Sequence, residues 1–286
     1  MTVLILTGAR TAAGQSSGVL AVEERGFVFN ETFEGSANAD GEVMMLTSSA
    51  RYVFNRHFSV AIGMPFYFDR LSSSTTGTTS NSGVGNFFAA VSGKWKNPTL
   101  GYATSLMGSA PTGDSKKGLS TGHGTFDWNN RFDHEFGIFT PFADAGVANA
   151  LTDTRFFLRP FTSYGDLAHF EAGTDLDLSH SFSLTVSAYD IAPWGNQTIF
   201  SRVVSAGKTG SGGSHGRVFE TNHETTGGAS LDRDNGFTAG VTASPLPYLD
   251  CELGYTRSVR FALNTVSFGV GLNLSKLFRE RSGISK

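Results

Sequence analysis

Twelve ionisable side chains are the first candidates for chemistry. They are Arg51, Lys94, Lys96, Asp127, Arg131, Asp133, His169, Glu171, Asp175, Asp177, Asp250 and Glu252. Within each predicted strand that holds several of them, they lie an even number of positions apart. Side chains of a β-strand alternate between two faces, so charged residues an even number of positions apart share one face. Such a face of mixed charge could conduct or bind a polar solute. Alternatively, the charges could pair with one another and fill an interior.

Four of these residues suggest a metal site or an acid–base site. His169, Glu171, Asp175 and Asp177 carry metal-ligating and proton-transferring groups. However, positions i and i+6 of one strand lie roughly 20 Å apart, which is too far for a single site. Neighbouring strands would have to supply partners. We therefore predict no metal, no cofactor and no catalytic residue.

An enzyme of the membrane-lipase type is the catalytic alternative. The segment from Gly118 to Gly122 reads Gly-x-Ser-x-Gly around Ser120, and His123 lies close by in sequence. A nucleophile elbow needs a strand before the serine and a helix after it. No helical periodicity follows Gly122, so the Gly-x-Ser-x-Gly motif occurs here without the helix that a nucleophile elbow needs. The sequence therefore favours a protein that is not an enzyme.

The elements that would position the charged face are long alternating strands. In the segment Phe58–Phe68 every second residue is large and apolar, and the residues between are small apart from Tyr67. A strand of this length spans roughly 35 Å. Soluble strands are usually about half as long. A tilted strand of about ten residues, apolar on one side, is typical of a barrel that crosses a bilayer.

About twelve segments show this alternation, although the parity of 139–150 is ambiguous. An open sheet of that size would expose two long edges. We therefore predict an all-β fold, an antiparallel up-and-down transmembrane β-barrel of about 12 strands. Short turns alternate with long polar links, which is the pattern of bacterial outer-membrane barrels with the short turns in the periplasm. A secreted soluble β-sandwich that acts as a binding module is the alternative fold.

Composition narrows the classes of partner. The 286 residues include 35 Gly and 25 Phe, with only 16% charged residues, which suits a barrel that meets lipid. The net charge of −3 argues against a nucleic-acid binder. Cys251 is the single cysteine, so no internal disulfide forms. No apolar run is long enough to predict a transmembrane helix. The expected partners are outer-membrane lipid and a small-molecule solute; the oligomeric state stays open.

The chain divides into three parts by pattern. Residues 1–25 contain Thr11-Ala12-Ala13, which resembles a signal-peptide cleavage site, so this part is predicted to be a clipped signal peptide with a tail. A frayed N-terminal tail is the alternative. Residues 26–278 are predicted to form the barrel, and 279–286 a C-terminal tail.

One loop carries a family resemblance. It runs through Pro111, Thr112, Gly113 and Asp114, then Gly118 and Leu119, then Thr121 and Gly122, before a strand that begins at Thr125. This pattern resembles the outer-membrane "transporter" family linked to meta-pathway phenol degradation, over about Gly26 to Phe278. Many outer-membrane proteins end on an aromatic residue in the last strand, whereas here eight residues follow Phe278.

The resemblance implies an outer-membrane channel for small, hydrophobic or aromatic solutes. The strand alternation and the inward charges alone leave a second function open, namely a structural barrel whose lumen is plugged. Both functions need the same barrel, so only the state of its interior separates them.

Overall fold

The fold comes from a computed structural model of the chain, and the structure describes residues 25–39, 41–71, 80–151, 153, 156–204, 217–220 and 222–281. The strands are β1 Gly26–Asn38, β2 Gly41–Val53, β3 Phe58–Leu71, β4 Ser80–Val84, β5 Phe87–Lys96, β6 Gly101–Ala110, β7 Thr125–Asp133, β8 Phe139–Ala150, β9 Phe161–Ser179, β10 Phe182–Pro193, β11 Asn196–Ser201, β12 Glu224–Gly228, β13 Asp234–Leu246, β14 Leu249–Ser258 and β15 Leu263–Asn273. The one α-helix of the described residues, α1, spans Leu274–Arg281. The predicted signal peptide lies outside the described residues.

Twelve of the described strands form a closed ring. Going round the ring, β1, β2, β3, β5, β6, β7, β8, β9, β10, β13, β14 and β15 each pair antiparallel with the next, and β15 pairs with β1. The ring confirms the predicted 12-stranded up-and-down barrel, and it overturns the β-sandwich alternative because a sandwich keeps two separate sheets. Strands β4, β11 and β12 are extra: β4 pairs with β3, and the β11–β12 hairpin extends from β9.

The two faces of each strand follow the predicted parity. On β3, Phe58, Ile62 and Met64 are exposed, whereas Ala61 and Tyr67 are buried. The burial pattern also settles the parity of β8, where the even-numbered residues point inward. The outward residues form an apolar belt around the barrel, as a lipid-facing wall requires.

The two ends of the barrel differ. One end, here called the turn end, carries the short connections 54–57, 97–100, 134–138, 180–181 and 247–248. Asparagine shapes two of these turns: the Asn55 carboxamide oxygen accepts from the backbone N–H groups of His57 and Phe58 at 2.8 and 3.0 Å. Asn97 does the same in its turn. Side chains of this type hold tight turns locally. The other end, here called the loop end, carries the longer links together with the two short links 39–40 and 259–262.

The described chain finishes in a short helix rather than a strand tail. Strand β15 ends at Asn273, so residues 26–29 of β1 have no β15 partner. Ser275 at the start of α1 occupies this place, since its Oγ accepts from the Phe29 N–H at 3.0 Å. Phe278 therefore lies in α1, where it is 61% exposed, and not in the last strand. Among the described residues, no helix is long and apolar enough to cross a membrane.

Candidate functional site

The turn-end half of the interior is polar and centres on Arg131. Its two terminal nitrogens reach Asp144 at 3.1 Å and Asp175 at 3.0 Å, and its guanidinium carbon lies 3.8 Å from the centre of the Phe142 ring. Asp175 also accepts from the Thr185 hydroxyl at 2.6 Å. One arginine thus joins four neighbouring strands, β7 to β10. Sequence reasoning missed Asp144 because the parity of its strand was ambiguous.

His169 belongs to a different contact from Asp175. Its Nε2 lies 3.0 Å from Asp127 Oδ1. This contact joins β9 to β7 on the inner side of the barrel, past the intervening strand β8. His169 and Asp175, two of the four residues considered for a metal or acid–base site, therefore contact different partners. No group of three metal-ligating side chains occurs in the part of the chain that the structure describes.

All twelve candidate residues lie on the inward parity of their strands. Asp127, Arg131, Asp133, Asp175 and Glu252 are buried, Lys96 is exposed at the turn end, and Arg51, Lys94, His169, Glu171, Asp177 and Asp250 are intermediate. Lys96 forms a close ion pair with Glu135 in the adjacent turn. Their contribution to a solute path stays a prediction.

The loop-end half is crossed by residues 156–160, here called the inward segment. The segment leaves the wall between β8 and β9 and folds into the barrel. The Leu158 N–H donates to Ser36 Oγ on β1 at 2.9 Å, and Thr256 on β14 donates to the Phe156 carbonyl at 2.9 Å. Because β1 and β14 lie on another side of the ring, the segment spans the interior.

Apolar side chains pack around the inward segment. Phe157, Phe161 and Phe219 are at most 1% exposed, and the rings of Phe161 and Phe219 stack at 4.7 Å. The same cluster includes Val43, Met45, Tyr67, Leu119, Ala148, Leu151, Leu158, Leu167, Ile191, Ile199, Val203, Phe261 and Leu263. The loop-end half of the interior therefore holds a large apolar cluster, which the polar turn-end half lacks around Arg131. The apolar run Phe156-Phe157-Leu158 is the signal in the sequence for burial of this link.

Arg159 fastens the inward segment to the wall. Its Nη1 donates to Asp234 Oδ2 at 2.7 Å, and the same oxygen accepts from the Tyr189 hydroxyl at 3.0 Å. Burial by itself lowers the pKa of Arg159, but the neighbouring Asp234 carboxylate outweighs it and leaves the pKa above its usual value. Arg159 is therefore charged at any physiological pH.

Arg202 joins three links of the loop end. It donates to the Arg159 carbonyl at 2.8 Å, to Asp153 at 3.2 Å and to the Gly118 carbonyl at 3.2 Å. Its guanidinium carbon also lies 4.5 Å from the centre of the Tyr67 ring on β3. One buried cation thus holds the inward segment against the motif loop and the barrel wall.

The loop that carries the family resemblance is a docking loop in this structure. Gly118 has a φ of +68°, and a side chain there would overlap the backbone of Ser201 and Arg202. Asp114 caps the short helical turn at 115–117, accepting from the Lys116 N–H at 2.9 Å. Leu119 is buried in the apolar cluster. These contacts give the motif residues a structural role at the loop end.

Asp232 is a second buried carboxyl group near the inward segment. It is fully buried in the link before β13, and Ser163 on β9 donates a short hydrogen bond to it. Burial raises the pKa of Asp232 to about 7, although the Ser163 hydrogen bond opposes the rise. The group therefore changes charge near neutral pH.

The lipase-like letters do not form a catalytic site. Ser120 is 2% exposed, and its Oγ accepts from the Gly122 N–H at 3.0 Å. The His123 ring stacks on Tyr164 at 4.4 Å. Strand β7, not a helix, follows this loop. The elbow geometry that the chemistry needs is therefore missing at Ser120.

No protein-family model matches this chain, and a search of curated proteins finds no match. Solved structures do resemble it. An outer membrane channel from Pseudomonas putida F1 has a TM-score of 0.56 at 10% identity, covering 88% of this chain and 96% of that one. A KdgM porin in complex with disordered oligogalacturonate gives 0.47 at 8% identity, covering 85% and 98%. The chain therefore shares the β-barrel fold of that outer membrane channel.

Proposed function

We propose that the chain is a bacterial outer-membrane channel for small solutes, with the loop end outside and the turn end in the periplasm. The observation that carries this proposal is the closed ring with an apolar outward belt around an interior lined by inward charged residues. A lipid-facing belt with a polar interior is the arrangement of barrels that pass solutes. The orientation follows from the short turns, which face the periplasm in such barrels.

The path through the proposed channel is narrow. Eight strands enclose an interior that side chains just fill, whereas about sixteen leave an aqueous channel. A ring of 12 lies between these sizes, and the inward segment occupies part of its loop-end half. Passage of a solute therefore requires the inward segment to move.

The apolar cluster at the loop end favours hydrophobic or aromatic solutes over sugars. A solute that enters from outside meets Phe157, Phe161 and Phe219 before it meets the charged half around Arg131. The motif loop supports the same choice, because the transporter family that it resembles is described as passing such compounds. Membership of that family is part of this proposal.

A structural barrel with a plugged interior is the second candidate. The nearly complete burial of Phe157 and Phe219 favours it, since a tightly packed interior resists opening. Planar-bilayer recordings separate the two functions. Folded wild-type protein that gives discrete current steps supports a channel, and protein that inserts but stays silent supports the structural barrel.

A further inference from the structure

Two glycines form a gap in the inner wall at mid-barrel. Gly240 on β13 and Gly254 on β14 are paired directly in register, and both point inward. A Cβ atom at Gly240 would lie 2.7 Å from Phe156 Cε2, and one at Gly254 would lie 2.8 Å from Phe156 Cγ. Contacts this close are too short for carbon atoms, so the phenyl ring fits only because both side chains are missing. We call the space at these two glycines the ring slot.

An unsatisfied hydroxyl group lies at the edge of the ring slot. Ser267 on β15 is paired in register with Gly254, and its Oγ lies 2.7 Å from the Cβ position of that glycine. Ser267 is 4% exposed, and its Oγ has no hydrogen-bond partner among the residues that the structure describes. A buried hydroxyl group without a partner costs free energy. The phenyl ring of Phe156 cannot supply that partner, whereas a ring with a polar substituent can.

The ring that fills the slot belongs to a loop and not to the wall. Phe156 lies on the inward segment, whose backbone is attached here through Thr256 and Ser36. A ring on a loop can leave the slot without breaking any strand pairing of the barrel.

We propose that the ring slot is a binding site for one aromatic ring that carries a hydroxyl group, and that Phe156 occupies it in competition with the solute. The two glycines leave room for a flat ring, and Ser267 hydrogen-bonds the substituent. A solute in the slot displaces Phe156 and so favours release of the inward segment. This inference deepens the proposed channel function and rests on it for its biological role.

The test is a binding titration with 4-fluorophenol, followed by ¹⁹F NMR on folded protein in lipid nanodiscs. Wild-type protein is expected to bind weakly, because its own ring competes. Phe156→Ala removes the competitor and is expected to tighten binding about tenfold, since apparent affinity scales with the fraction of sites that are open. Phe157→Ala is the matched control: it removes an equally buried ring of the same segment away from the glycines.

Further variants locate the bound ring. Adding Gly240→Ala and Gly254→Ala to Phe156→Ala is expected to abolish the gain, whereas adding Gly108→Ala is not, because a Cβ there meets its nearest atom at 3.8 Å. Ser267→Ala is expected to remove the preference for 4-fluorophenol over fluorobenzene. Heat-modified migration on gels confirms that each variant is folded.

Three results would overturn the ring slot. They are equal gains from Phe156→Ala and Phe157→Ala, binding that survives both glycine substitutions, and a wild-type protein that binds no probe. Bilayer recordings on the same samples keep the two proposals apart. Probe binding as expected with silent bilayers refutes the channel and leaves the slot, whereas conductance without slot-dependent binding refutes the slot alone.

Discussion

Arg159 and Asp234 form an ion pair with an Nη1–Oδ2 distance of 2.7 Å, and neither side chain is more than 1% exposed. This pair connects the inward segment to the first residue of β13. Removing one partner of a buried ion pair leaves the other charge uncompensated, and this is strongly destabilising. The pair therefore attaches the inward segment to the barrel wall through two fully buried charges.

Arg159→Met is expected to lower the free energy of unfolding by about 3–5 kcal/mol, because Asp234 stays buried without its cation. Urea unfolding in lipid vesicles, followed by tryptophan fluorescence, measures the loss. Arg233→Met is the matched control: Arg233 reaches Asp190 only at 3.8 Å, and the two side chains are 61% and 42% exposed. Exposed pairs contribute about 0–1 kcal/mol. Equal losses in the two variants would contradict the role given to Arg159.

Asp232→Asn is expected to change how stability depends on pH. Burial raises the pKa of Asp232 to about 7, whereas its ordinary value is 3.8. At a pH between these two pKa values, Asp232 is protonated in the folded state and ionised in the unfolded state. The free energy of unfolding of the wild type therefore falls as pH rises from about 4 to 7 and then levels off. Asn keeps an oxygen for the Ser163 hydroxyl and carries no charge.

The free energy of unfolding of Asp232→Asn is therefore expected to exceed that of the wild type by an amount that grows with pH. This excess reaches about 4 kcal/mol above pH 7. Urea unfolding at pH 5 and pH 8 measures it. A variant that gains the same amount at both pH values would show that Asp232 does not titrate in this range.

Glu31 faces outward on β1, on the same parity as Phe29 and Phe33. Its carboxylate accepts from the Ser48 hydroxyl on β2 at 2.8 Å, and both residues lie among belt side chains. A charge on the lipid face of a barrel is destabilising, more so toward the middle of the bilayer.

Glu31→Leu is therefore expected to raise the free energy of unfolding in vesicles by about 1–2 kcal/mol. Glu42→Leu, on the same outward parity of β2 but next to the loop end, should change it by less than about 1 kcal/mol. The comparison is made by urea unfolding of both variants. A loss of stability in Glu31→Leu would indicate that something other than lipid covers this position.

The wall of the barrel was predictable because strand parity is a local signal. The alternation in Phe58–Phe68 predicts one apolar face and one face of small residues. Asn55 predicts the turn before this strand. Closure follows from the number of such strands, since each edge needs a partner. These features depend on neighbours in the chain and in the next hairpin.

The contents of the barrel were not predictable in the same way. The inward segment has no alternation, and its docking depends on Gly240, Gly254 and Ser36, which lie far from it in sequence. The pairing of Arg159 with Asp234 and the burial of Arg202 depend on the same fold-back. Helix α1 was missed because a strand pattern was extended past Asn273 to Phe278.

Single-channel recording of two proteins tests the central claim most directly. One is the wild type, and the other has Phe156, Phe157 and Leu158 replaced by Gly, Ser and Gly. These substitutions remove the apolar side chains that pack the inward segment into the barrel. Both must be folded, as shown by heat-modified migration. We expect small, brief current steps from the wild type and larger, longer ones from the variant. Silent bilayers for both folded proteins would contradict the channel.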